Sequence, residues 1–514
     1  MSLDSALSIA GGGLANINAQ FALISQNVAN AATPSYAVEV GTQSALTADG
    51  IALGVRTGPA TLQIDQTLQA ASLQQNASVT GLQTTQTALQ SIDTVLGTPG
   101  SGSDIGSLLG NLKNSFSTLL NDPGNQTQQS AVVSSATALA QGINSLSAAY
   151  TTQRQAAQTD LGSAVTTLNS TLATIGQLNS QITTMQQAGQ STADLQNQRN
   201  ASVAALSKLI NVQTVQQPDG SIDLYTTTGL SLPAQGGTTN GTGGPFSIAG
   251  GSAQPGAFYP GGGLPGITLN GADITNQMQG GQIGADITLR DTTLPTDQAE
   301  LDEFSYGLSS QFSAQGLTLF TDAAGNVPAG GGTPVQSGYV GFAATIQVNP
   351  AVTAAPNLVR DGTNAIAGSA TGASAFTPND PLTGQAGFAT LINRVLNYTF
   401  GTQVQAGVSQ PALNTSGLGA TGTLSAPFSS PQSLSGYATD LVSSQAQTSA
   451  TTTSNLTTEQ TMQTSLNAKI SSVSGVNMDT EMSQMIGLQN AYGANARVIA
   501  AVQSMFQQLL QVVQ

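Results

Sequence analysis

The stretch SGVNMDTEMSQMIGLQNAYGANARVIAAVQSMFQQLLQVVQ, residues 474 to 514, carries one long apolar stripe. From Met478 it steps by four and three through Met482, Met485, Gln489, Tyr492, Ala496, Ile499, Gln503, Phe506, Leu510 and Val513, a coiled-coil spacing. A helix with such a stripe needs a second surface. Asn477 is placed to cap the first free amides, and Asp479 and Glu481 put negative charge where the helix dipole favours it.

The other end of the chain repeats the pattern. Leu3, Leu7, Ala10, Leu14, Ile17, Phe21, Ile24 and Val28 keep four-three spacing up to Asn30, and Pro34 stops simple continuation. Gly11, Gly12 and Gly13 lie inside this helix and cost about 1 kcal/mol each relative to Ala. Both terminal helices are therefore expected to be largely disordered or loosely associated in the free chain and to pair on assembly. The candidate assembly contacts are Leu3, Leu7, Leu14, Ile17, Phe21, Ile24, Val28, Met478, Met482, Met485, Tyr492, Ile499, Phe506 and Leu510.

Composition removes whole classes of function. The 514 residues exceed what one hydrophobic core serves, so several domains are expected. There is no Cys and no His, which leaves no disulfide, thiolate or imidazole and few ways to hold zinc, haem or copper. Ten Lys and Arg stand against 25 Asp and Glu, and the cations are scattered singly, so no surface suits nucleic acid. Met1 to Asp4 lacks a cationic start, glycines interrupt the apolar run that follows, and no span of about 20 apolar residues stands out. Neither membrane insertion nor the general signal-peptide route is expected.

Two small constellations are weighed and set aside. Asp297, Glu300 and Glu303 have the spacing of an acid/base pair on one helix face, but Asp297 and Glu300 also have the spacing of a capping box. Asp322 to Asn326 lacks the oxygen series of a calcium loop and reads as a turn. No enzyme activity, cofactor or metal is expected.

Periodicity gives the organisation. Alternation at Tyr36, Val38 and Val40 and at Ile51, Leu53 and Val55 marks short strands. Helical spacing then covers about 64–96, 105–120, 128–185 and 193–210, with heptad steps at Leu161, Val165, Leu168, Leu172, Ile175, Asn179 and Ile182. From Val212 the chain is rich in Gly, Pro and Thr; helix returns at about 297–315, 389–400 and 434–470. The reading is a multidomain α+β chain: an elongated α-helical rod from both termini, with heptad helices and β-rich outer modules. Its parts are a terminal coiled-coil assembly domain (1–60 and 434–514), a helical rod domain (61–210 and 386–433) and a β-rich outer domain (211–385) with a helix inserted near 297–315.

These motifs resemble a known family. SLDSALSIA with ISQNVANAATPSY is similar to the opening helix and Asn-Ala-Asn-Thr-Pro-Gly-Tyr turn of flagellar axial proteins, with Ala32 and Ser35 where Asn and Gly are usual. The C-terminal stretch resembles the family's closing helix through Gln489, Ala491, Tyr492, Ala494, Asn495, Ala496 and Val498. STADLQNQRNASVAALS, PDGSIDLY and GGQIGADITLRDTTLPTDQAELDEFSYGLSSQF resemble segments of the hook-associated, hook-filament junction members. The resemblance implies a structural adaptor joining hook to filament, outside the cell, exported through the flagellar type III channel without a cleaved signal peptide. It implies self-association, contacts with hook protein and a second junction protein, and an export chaperone. Other readings are a hook or distal-rod protein of the same family, or a secreted surface-binding protein using its outer β domain.

Overall fold

The computed structural model describes residues 3–48, 51–98, 100–234, 244–380 and 383–512. The side chains of Ile51 and Leu53, and Val513 of the C-terminal stripe, lie outside the described residues. The long helices begin and end where local chemistry dictates. α1 (Leu3–Asn30) stops before the Pro34 turn. Two antiparallel pairs follow: Glu39–Val40 with Thr61–Leu62, and a hairpin of Gln43–Ala48 with Ile51–Thr57. Asp65 caps α2 (Gln66–Leu96) by accepting from the Thr67 and Leu68 amides at 2.9 and 3.1 Å. Asp104 likewise caps α3 (Ile105–Asn121), and Asn125 caps α4 (Gln126–Gln187). At 62 residues α4 is about 93 Å long. α5 (Ala193–Leu209) follows a short turn.

The central region is β-rich in small pieces. Val212–Gln216, Ile222–Thr226 and Ser231–Leu232 form one antiparallel sheet, and Phe246–Ile248, Ile267–Leu269 and Ala272–Asp273 another. α6 (Gly281–Thr288) then passes through one wide π turn, Leu289–Thr293, directly into α7 (Leu294–Ala314). Asp297 is therefore not a helix cap, and the capping-box reading of Asp297 and Glu300 is corrected. The π turn leaves Pro295 where a missing amide does no harm, so the helix continues across a residue that looked like its start. Short helices α8 (Pro350–Ala354), α9 (Leu358–Asp361) and α10 (Thr390–Arg394) and three two-stranded pairs complete the centre. α11 (Leu434–Ser474) runs back along α2, and α12 (Met478–Val512) follows a break at Gly475.

α4 is shared by two hydrophobic cores. Its first half, with Val132, Leu139, Ile143 and Tyr150, joins α3, α7, α11 and the loops from 317 to 413. Its second half, with Leu161, Leu168, Leu172 and Ile175, joins α5, α6 and both three-stranded sheets. The heptad steps along 161–182 thus face strands and neighbouring helices rather than a coiled-coil partner. The helix expected inside the outer module sits in the first core, and it is buried on both faces. Two of its acids are satisfied there and a third is not: Asp302 accepts from the Gly341 and Ala343 amides, Glu303 accepts from the Tyr339 hydroxyl at 2.6 Å and the Asn414 amide at 2.8 Å, and both Glu300 oxygens are buried without a partner. Residues 211–385 are consequently divided between the two cores.

The whole is an elongated α-helical structure with a β-rich central region, and its long terminal helices contact each other. α1 is long and apolar enough, by length and composition alone, to cross a membrane, which the sequence reading did not anticipate. Here it lies along α12 and buries Ala10, Ile17 and Ile24.

Candidate assembly surface

The two terminal helices run antiparallel, with Gly13 opposite Asn495 while the turn after α1 meets the start of α12. A Cβ on Gly13 would stand 3.1 Å from Asn495 Nδ2, so this glycine permits close approach. Gly11 and Gly12 face open space. The sequence reading left pairing to assembly, whereas the pair forms within one chain. Asn477 caps α12 as expected, accepting from the Asp479 and Thr480 amides at 3.0 and 3.2 Å.

The contact stripe on α12 is offset from the expected one. Its inward positions are Glu481, Met485, Leu488, Ala491, Asn495, Ile499 and Val502, of which Glu481 and Val502 are buried. Met478, Met482, Tyr492, Phe506 and Leu510 are exposed, as are Ile486, Val498, Met505 and Leu509. On α1, Ile17 and Ile24 are buried and Leu3, Leu7, Leu14, Phe21 and Val28 are half-buried. A pair of helices covers only one narrow strip of each, so a broad apolar sector of α12 stays open. α12 has 35 residues against 28 in α1, so about two turns run past the start of α1. Spacing alone missed Leu488, Val502, Asn16 and Asn27, because polar Asn and out-of-phase Leu and Val break a strict heptad count.

A buried polar knot fixes the turn between the pair and the rest of the chain. Asn27 Nδ2 donates to the Glu39 carbonyl at 2.9 Å, and its Oδ1 accepts from the Glu39 amide at 3.0 Å and the Tyr36 hydroxyl at 3.1 Å. Asn197 on α5 pairs with Ala37 in the same way, its Oδ1 accepting at 3.0 Å and its Nδ2 donating at 3.1 Å. The Val38 amide reaches the Ser474 carbonyl at 2.8 Å, tying in the break before α12. Burial raises the Glu39 carboxyl above its ordinary range, and burial with Glu39 nearby raises the Tyr36 hydroxyl. Ser35 adopts φ 64°, a conformation that suits Gly.

Comparison with known proteins follows the same two regions. Residues 89–327 match the Flagellar hook-associated protein FlgK helical domain, and residues 469–512 match the Flagellar basal body rod FlgEFG protein C-terminal. The chain belongs to the flagellar axial proteins. Among solved structures this axial protein is similar to the flagellar hook junction protein FlgK from Burkholderia pseudomallei, with 25% identity and a TM-score of 0.40. That alignment covers 52% of this chain and 46% of the other, so it spans less than half of that protein's length. No curated protein sequence matches significantly.

Proposed function

We propose that this axial protein is a structural, non-catalytic adaptor of the flagellum that joins hook to filament. The observation that carries the reading is the match of 89–327 to a hook-associated helical domain beside a terminal helix pair whose apolar sector is open. The C-terminal segment by itself suits rod, hook and junction members alike; the helical domain favours the junction. In this role α1 and α12 pack with the same helices of neighbouring subunits and with hook protein and a second junction protein, and the bulkier cores stand outside. Export runs through the flagellar type III channel, where absence of cysteine keeps an unfolded chain free of disulfides. An export chaperone that covers the open sector of α12 belongs to the same reading.

Immunogold labelling of intact flagella tests it. The expected result is a short labelled zone between hook and filament, with hooks lacking filaments when the gene is deleted. Label along the whole curved hook would make it a hook protein, and label confined to the rod would make it a rod protein.

A further inference from the structure

Arg154, Arg290, Arg360 and Arg394 each engage all three guanidinium nitrogens with protein acceptors. Arg199 on α5 differs. It is only 3% exposed, yet only Nη1 is used, donating to Asn179 Oδ1 at 3.0 Å and the Gly220 carbonyl at 2.7 Å. Nε is buried without a partner, and among the described residues none accepts from Nη2. Among the described residues no carboxylate is paired with this cation: burial lowers it, to about 10, so it stays charged at neutral pH. A buried charge with an unused donor is costly unless something completes it.

Arg199 lines a cavity of about 260 Å³ between α2, α5 and the sheet that begins at Val212. The amides of Gln66, Gln69, Gln196, Asn200 and Gln216 line the same cavity, and among the described residues no acidic side chain does. Gln66 Nε2 donates to Gln216 Oε1 at 2.9 Å, and both residues are exposed, so this bond marks the mouth. The unused Nε and Nη2 form one edge of the guanidinium fork, whose two parallel N–H groups match the two oxygens of a carboxylate. We propose that this cavity binds a carboxylate, which Arg199 receives on its Nε and Nη2 edge while the surrounding amides donate to the remaining lone pairs. The carboxylate comes either from a small free acid or from an Asp or Glu side chain of a neighbouring protein chain; the recognition chemistry is the same.

The test uses the full chain in chloride-free buffer at constant ionic strength, titrated with acetate and, separately, with acetamide, the uncharged isostere. Acetate is expected to raise the melting temperature saturably, with affinity on the order of millimolar, and to shift the Arg199 Nε–H resonance; acetamide should do neither. Arg199→Lys keeps the charge and loses the fork, and should weaken the response at least tenfold. Because Arg199 also holds Asn179 and Gly220, Gln69→Glu provides a variant that leaves those bonds intact and tethers a carboxylate in the cavity. It should raise the melting temperature and abolish the acetate response. A blocked tripeptide with a central Glu separates the sources: binding tenfold tighter than acetate assigns a protein side chain, and equal or weaker binding assigns a free acid. Equal responses to acetate and acetamide, or an unchanged acetate response in Gln69→Glu, would overturn the proposal.

Discussion

Around Phe312 the rings of Phe116, Phe320 and Phe400 lie with centroids 5.6 to 5.9 Å away, and all of the Phe312 side chain is hidden. On α12, by contrast, Leu510 remains 64% exposed and Ile486 57%. The same kinds of side chain occupy both places. What differs is the number of surfaces supplied: Phe116 of α3, the strand at Phe320 and the turn at Phe400 close on Phe312, whereas among the described residues α12 packs mainly on α1. Each large apolar side chain left open retains roughly 1.5 to 3 kcal/mol of burial to be gained from another partner. Burial within the free chain is therefore concentrated in the two cores, and under the proposed adaptor role the open sector of the terminal pair supplies the free energy for association.

The sharpest way to break this contrast is to damage each region alone. Phe312→Ala removes a ring that four elements share and should cost about 3–5 kcal/mol, lowering the melting temperature by about 10 °C. Phe506→Asp should leave that temperature within about 1 °C of the parent, since its site is already wet, yet it should stop filaments from attaching. Calorimetry of purified chains and electron microscopy of flagella give the two readings. A large thermal loss from Phe506→Asp would mean that the pair already stabilises the monomer, and the division of labour would fail.

Much of this division was legible in the sequence. Pro34, the Asp122-Pro123-Gly124 break and the Asn477 cap punctuate the chain, so α1, α3, α4 and α12 begin and end close to where the residues say. The α6–α7 continuity was not legible, because Thr292 to Pro295 has the chemistry of a helix start and a π turn leaves no sequence mark of its own. Nor was the phase of α12: its apolar residues surround much of the helix, and only the actual approach of α1 selects Leu488 and Val502. Arg199 looks ordinary in the chain; its isolation is visible only when its neighbours prove to be Asn and Gln.

Alkali should sharpen the contrast further, since the buried acids are in or beside the cores. Burial lifts Glu300 to about 9, helped by the charge of Asp297, and lifts Asp302 and Asp286 to about 7. Both oxygens of Glu300 lack a hydrogen-bond partner. These folded values exceed the unfolded ones, which lie near 4. The protonated forms fit the folded chain, so stability is greatest in acid and is lost as pH rises through about 7 to 9. The melting temperature should fall by about 5 °C between pH 6 and pH 9, and Glu300→Gln should flatten the alkaline part of that fall. A profile that rises across this range would show that the acids are paired by charge and that the core is less dry than its packing indicates.

The smallest effect lies at the junction between the two regions. Ser35 holds φ 64° in the turn that leads from α1 to the Asn27 and Asn197 knot. A side chain in this left-handed conformation costs roughly 1 kcal/mol relative to Gly. Ser35→Gly should relax that strain, although Gly also gains freedom in the unfolded chain, so the net gain is about 0.5 kcal/mol at most. Ser35→Val adds a β-branched side chain where it is least tolerated and should cost well over 1 kcal/mol. If the knot couples pair to core, the two substitutions will move hydrogen exchange of the Val38 and Glu39 amides in opposite directions, slower for Gly and faster for Val. The Phe312 core should exchange at parental rates in both. Faster exchange there in Ser35→Val would show that strain in the turn crosses into the core, and that the terminal pair and the cores are one cooperative unit.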